Sequence, residues 1–169
     1  MAKSVMISIR PEWAEMIVKR KKMVEVRKNR PKIEVPFKCY IYCTKGKSKD
    51  NWGEVYGGYV IGEFVCDNIR SFDVPYPAFQ KEMDKSILEQ SCLTYYQLHR
   101  YAYHDKLYGW HISDLKVYDK PNELSDFFQC HKCEWHEECR EHEYSCDGTY
   151  KLKRPPQSWC YVEELNDGY

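Results

Sequence analysis

Apolar residues in this chain come in short β-branched and aromatic runs, and that pattern limits the fold more than any other feature. Val5–Ile9, Phe37–Cys43 and Tyr59–Cys66 are the clearest runs, each bounded by polar, glycine or proline residues as strands are. Trp110–Ile112, Leu115–Tyr118 and Ser158–Val162 continue the strand pattern. Between the first two runs, Pro11 to Arg20 carries Trp13, Met16, Ile17 and Val18 at roughly helical spacing. Proline suits the first helical position because its missing N–H would have been unpaired there. Met23–Arg27 alternates, with Val24 and Val26 on a core face and Glu25 and Arg27 on the opposite one. Residues 44–58, rich in Gly, Lys and Asp, read as a loop. Helices are expected around Lys81–Gln90 and Thr94–Tyr103, the second capped by Thr94. Helices do not alternate regularly with strands, which disfavours a doubly wound sheet. The expectation is an α+β protein, a twisted and partly closed barrel of about six strands with helices outside.

A length of 169 residues suits one domain, here 1–169. Aromatic side chains make up 15% of the chain, too many for a disordered segment. No apolar run reaches the roughly 18 residues that span a bilayer, so no membrane partner is expected. Met1-Ala2-Lys3-Ser4 leads directly into a strand-like stretch with no apolar leader, and the expectation is a soluble, cytoplasmic protein.

Charge narrows the partner. The 26 basic and 26 acidic residues cancel overall, yet residues 1–50 hold fourteen Lys/Arg against five Asp/Glu. Lys19, Arg20, Lys21, Lys22 and Arg27 form the densest part of that excess. Such a cluster is the electrostatic footprint of a polyanion partner. The competing interpretation is a solvated basic surface offset by the acidic remainder of the chain.

Nine cysteines, an odd count, argue against a disulfide framework. Cys39, Cys43, Cys66, Cys92 and Cys160 lie in or beside apolar stretches and read as small buried hydrophobes. Cys130, Cys133, Cys139 and Cys146 instead sit in a polar stretch, with gaps of two, five and six residues. Four thiolates at such gaps can surround one tetrahedral zinc, closed to substrate and therefore structural. The expectation is a four-cysteine zinc-binding insertion over residues 128–148. Replacement of one cysteine by His131, His136 or His142, an iron–sulfur cluster, and four unligated thiols remain alternatives. Glu134, Glu137, Glu138, Glu141 and Glu143 make this lobe a poor phosphate binder and a candidate surface for a basic protein partner.

The segment Arg20-Lys21-Lys22-Met23-Val24-Glu25-Val26-Arg27 resembles the signature of the ASCH domain, a member of the PUA-like superfamily. That signature is Gly-x-Lys-x-x-Glu-x-Arg between the first helix and the second strand. Lys22, Glu25 and Arg27 match it, and Arg20 stands where Gly is usual. The strand–helix–strand order, the run Tyr59–Cys66 and the stretch Tyr108-Gly109-Trp110-His111-Ile112 are similar to the family as well.

The resemblance implies a PUA-like β-barrel with a cleft beside the motif, suited to RNA or to a modified nucleotide or nucleoside. Lys22, Glu25 and Arg27 would bind the ligand, with Lys21 beside them and Trp52 and Tyr56 as stacking rings. Some members act as amidohydrolases on acylated cytidine, and ribonuclease activity is also associated with the family. In the amidohydrolases the motif Lys activates a Thr at the position held here by Glu25, and a carboxylate cannot replace that nucleophile. A hydrolytic alternative would make Glu25 the base and Lys22 the oxyanion partner.

Overall fold

The computed structural model describes residues 3–47, 51–75, 83–103, 105–130 and 149–165. The expected strands appear as β1 (Lys3–Ile9), β2 (Val24–Arg27), β3 (Phe37–Cys43), β4 (Val60–Cys66), β6 (Leu107–His111), β7 (Ser113–Asn122) and β10 (Trp159–Glu163). Three more, β5 (Ile69–Phe72), β8 (Phe128–Cys130) and β9 (Thr149–Lys151), bring the described total to ten rather than about six. Each is only three or four residues long and is held by its neighbour more than by its own composition.

The helices are α1 (Pro11–Val18), α2 (Trp52–Tyr56), α3 (Lys85–Ser91) and α4 (Tyr95–Ala102). Thr94 caps α4 through a reciprocal pair with Gln97, in keeping with its sequence position. The region 44–58, expected to be all loop, contains α2.

Seven strands form one sheet in the order β7-β4-β3-β1-β10-β8-β9, and three form a second in the order β2-β6-β5. β1 lies centrally, parallel to β3 and antiparallel to β10. Among the described residues no strand of one sheet pairs with a strand of the other, so hydrogen bonds do not close a barrel. Alternation along β1 divides the interior. Val5, Ile7 and Ile9 join Cys39, Ile41, Phe64, α1 and Trp110 of β6 in the main core, whereas Met6 packs with Tyr40, Phe127, Leu152 and Val162 on the other face. Burying each such side chain contributes about 1.5–3 kcal/mol. Gly62 permits close strand approach, since a Cβ there would lie 2.5 Å from the Lys116 carbonyl oxygen.

The small sheet is covered on both faces. Val24, Val26 and Leu107 pack beneath Ile87, Leu98 and Ala102 of α3 and α4. On the other face Glu25 sits directly across from Trp110, whose ring lies in the main core. The face expected to look outward therefore looks into the space between the sheets. This difference places the motif in a site.

Candidate functional site

The motif is held by the way α1 ends. Arg20 adopts φ 55°, the left-handed region usually left to glycine. Its N–H donates to Ile17 O and that of Lys21 to Met16 O, the paired bonds of a Schellman turn. Glycine is usual here in the resembling signature because this turn needs that conformation; arginine accepts it at a cost of about 1 kcal/mol. Lys22 follows immediately and turns inward, only 2% exposed.

Lys22, Glu25 and Arg27 converge. Lys22 Nζ lies 3.4 Å from Glu25 Oε2, and Arg27 Nη1 lies 2.6 Å from Glu25 Oε1. Lys22 Nζ also donates to the Ser91 carbonyl at 2.6 Å and stands 5.4 Å from the centre of the Trp13 ring. Arg27 Nη2 donates to the Ser8 carbonyl at 2.6 Å, tying β2 to the end of β1. Its Nε is buried with no partner among the described groups. Glu25 is 4% exposed, so this is not the solvated surface salt bridge that the sequence also allowed.

A cleft of about 900 Å³ opens over these groups. Its walls come from distant parts of the chain: Arg10 and Trp13 at α1, Gln97, Arg100 and Tyr101 on α4, and the turn preceding β10. Arg10 and Arg100 are exposed and carry no ion pair among the described residues. Among the described residues, four cations and one carboxylate, Glu25, thus line the cleft. Its size is that of an ordinary small-ligand site.

The other candidates fall elsewhere. Lys21 is exposed and outside the cleft lining. Trp52 and Tyr56 lie against each other with centroids 4.5 Å apart and planes inclined by 40°, and pack against the main core. They do not line the cleft, because α2 turns both rings inward rather than leaving them on an open loop. The sequence does not mark Trp13, Arg10, Arg100 or Tyr101 as ligand groups, and only the helical stripe containing Trp13 hints at any of them.

Burial pushes the Cys39 thiol well up and those of Cys43 and Cys66 up to about 12, so these three are inert core residues rather than nucleophiles. His111 pairs with Asp67 at 2.6 Å and is not among the cleft-lining residues. No group of His, Cys, Asp and Glu among the described residues is arranged to hold a metal. Cys133, Cys139, Cys146 and the neighbouring histidines lie outside the described residues, as does the side chain of Cys130. No helix among the described residues is long and apolar enough to cross a membrane.

No family model matches the chain, and no curated protein matches it in sequence. Solved structures do. The crystal structure of ASCH from Zymomonas mobilis is 22% identical, with a TM-score of 0.62 over 95% of this chain and 88% of that one. Two single-residue variants of the Zymomonas mobilis protein, each 20% identical, superpose with TM-scores of 0.59 and 0.58. They cover 95% and 96% of this chain and 89% and 92% of theirs. Matched over almost its whole length, the chain has the fold of these ASCH structures.

Proposed function

We propose that this protein binds RNA or a modified nucleotide in the cleft above Lys22, Glu25 and Arg27. The observation that carries the reading is the charge of the lining, four cations around a single carboxylate already held by two of them. Such a site favours an anion, and the Trp13 and Tyr101 rings offer flat surfaces for a base. Arg27 Nε and the free guanidiniums of Arg10 and Arg100 supply donors for phosphate or for a carbonyl of the base. The ASCH structures are consistent with this reading through their fold alone.

Binding is favoured over hydrolysis by the state of Glu25. Glu25 is 4% exposed and each of its oxygens faces a cation, Arg27 or Lys22, so little of the carboxylate is open to a water. Arg27→Ala is a poor test of the cleft, because it would also break the bond to Ser8 and unbalance Glu25. Arg10→Ala/Arg100→Ala changes only exposed side chains. Equilibrium titration with a panel of ordinary and modified nucleoside monophosphates and short RNAs is expected to show binding by the native protein. The double variant should bind about tenfold or more weakly, equivalent to the roughly 1.5–3 kcal/mol of a charge-assisted hydrogen bond. No binding across the panel would overturn the reading.

The four-cysteine segment adds a structural zinc to the proposal, held by Cys130, Cys133, Cys139 and Cys146. It is supported by the cysteine spacing and by antiparallel β8 and β9, where Cys130 pairs with Thr149 and the ends of segment 131–148 are drawn together. Elemental analysis of purified protein should find about one zinc per chain. Less than about half an equivalent in folded protein would remove the site.

A further inference from the structure

The turn that enters β10 contributes Pro155, Pro156, Gln157 and Ser158 to the cleft wall. Two consecutive prolines fix their own φ at about −65° and hold the residues before them extended, so the approach to Gln157 has little freedom. Ser8 of β1 grips the turn on both sides of Gln157. Its hydroxyl donates to the Pro156 carbonyl at 2.6 Å and its N–H to the Ser158 carbonyl at 2.9 Å. The carbonyl of the same residue accepts from Arg27 Nη2 at 2.6 Å. One residue therefore sets the backbone around Gln157 and the guanidinium of Arg27 relative to each other. Just past the turn, Trp159 Nε1 donates to Asn29 Oδ1 at 2.7 Å and fixes the other end.

Gln157 is exposed, and no described residue pairs with its side chain. The hydrogen-bonding character of its neighbours sets it apart. The lysine and arginines of the lining can only donate. Each Glu25 oxygen faces a cation. Gln97 Oε1 accepts from the Thr94 N–H at 2.9 Å and from the Thr94 hydroxyl at 3.0 Å, so its amide has only donors left to offer. The hydroxyls of Thr44, Tyr101 and Ser158 present a single oxygen each. Among the described side chains of the lining, an unengaged amide oxygen with a donor beside it belongs to Gln157 alone.

A wall so rich in donors satisfies the carbonyls of a base and its phosphate without help. An exocyclic amino group is a donor itself, and it loses its water on entering the cleft unless an acceptor replaces it. Side-chain amides meet this need in adenine, with two hydrogen bonds to the amino group and the ring nitrogen next to it, and cytosine offers the same pair of atoms. We infer that Gln157 is the specificity-determining residue of the cleft, accepting the amino group of adenine or cytosine that the rest of the wall would leave unpaired. The inference rests on the nucleotide reading of the cleft and names the bases that it admits.

Gln157→Ala and Gln157→Met test it, the second keeping the length of the side chain while removing its hydrogen bonds. Both change only an exposed side chain. The probes are the monophosphates of adenosine and cytidine, which carry the amino group, and those of inosine and uridine, which carry a carbonyl in its place. Both variants should bind the amino-bearing pair about tenfold more weakly than the native protein does, and the carbonyl-bearing pair as before. A loss for adenosine or cytidine monophosphate singly would support the role and name the base. Equal loss for all four would make Gln157 a general part of the wall and overturn the inference. No loss for any, with Arg10→Ala/Arg100→Ala still weakening all four, would overturn it and leave the cleft reading standing. Failure of the native protein to bind any of the four would also overturn it, and if short RNAs fail as well, the cleft reading falls with it.

Discussion

The ion cluster on β2 and the one shared by β3 and β4 are near mirror images in composition. The first joins two cations, Lys22 and Arg27, to one carboxylate, Glu25. The second joins one cation, Lys38, to two carboxylates, Glu164 at 2.7 Å and Glu63 at 3.8 Å, and Tyr118 donates its hydroxyl to Glu63. The β2 cluster is almost wholly removed from water and opens onto a cleft with further unpaired cations. The β3–β4 cluster is partly solvated, its groups engage one another, and none of them lines the cleft. The sign of the surplus charge and the space beside it set the two apart: one can accept an anionic guest, and the other fastens the chain after β10 to the large sheet.

The largest effect separating them should come from Glu25→Ala. It leaves two cations buried at close quarters with no counter-ion, a loss of about 3–5 kcal/mol. Thermal denaturation should show a fall of roughly 10 °C, at the few degrees per kcal/mol expected for a domain of this size. Glu25→Gln should cost less, because its amide oxygen still accepts from one of the two cations. Near-native stability of Glu25→Ala would mean that the β2 cluster is as solvated as its counterpart.

Lys38→Met should cost less, about 1 kcal/mol, because water screens the carboxylates left behind. Burial lowers the pKa of the Lys38 ammonium, but the hydrogen bond to Glu164 and the charges of Tyr40, Glu63 and Glu164 raise it more, and the net is upward from 10.5. A raised pKa in the folded state gives stability that is complete below 10.5 and fades as pH rises through the folded value. The difference between native and Lys38→Met proteins in denaturant midpoint should therefore shrink in that alkaline range. RNA affinity should not change.

The smallest effect belongs to the exposed pair Arg70–Asp84. Hydrogen bonds from Ser86, with the Arg70 guanidinium, hold the Asp84 carboxyl at about 2 against an ordinary 3.8. Its contribution is present above 3.8 and is lost as pH falls toward 2. Asp84→Asn should flatten the acid limb of a helicity titration only in that window, through the cap on α3.

How legible this was in the sequence depended on how local each feature is. The β2 alternation and the Lys-x-x-Glu-x-Arg spacing identified the three central groups, because four consecutive strand residues determine which share a face. Thr94 marked the start of α4 for the same reason, a cap being written within three residues. The direction that Glu25 faces was not local. It follows from α3 and α4 covering the valine side, which a period of two cannot reveal. Arg10, Arg100 and Tyr101 meet across ninety residues of chain, and no single-segment pattern signals such a meeting. Trp52 and Tyr56 misled in the opposite way. Glycines around them suggested an open loop, whereas packing on the core winds them into a short helix.

The most direct measurement is the salt dependence of single-stranded RNA binding by the native protein and by Arg10→Ala/Arg100→Ala. The account predicts affinity that falls linearly with the logarithm of salt, and a slope shallower in the variant by about 0.7 for each phosphate that the two guanidiniums would have neutralised. Identical affinities and identical slopes for the two proteins would contradict a cationic cleft as the place where the ligand sits.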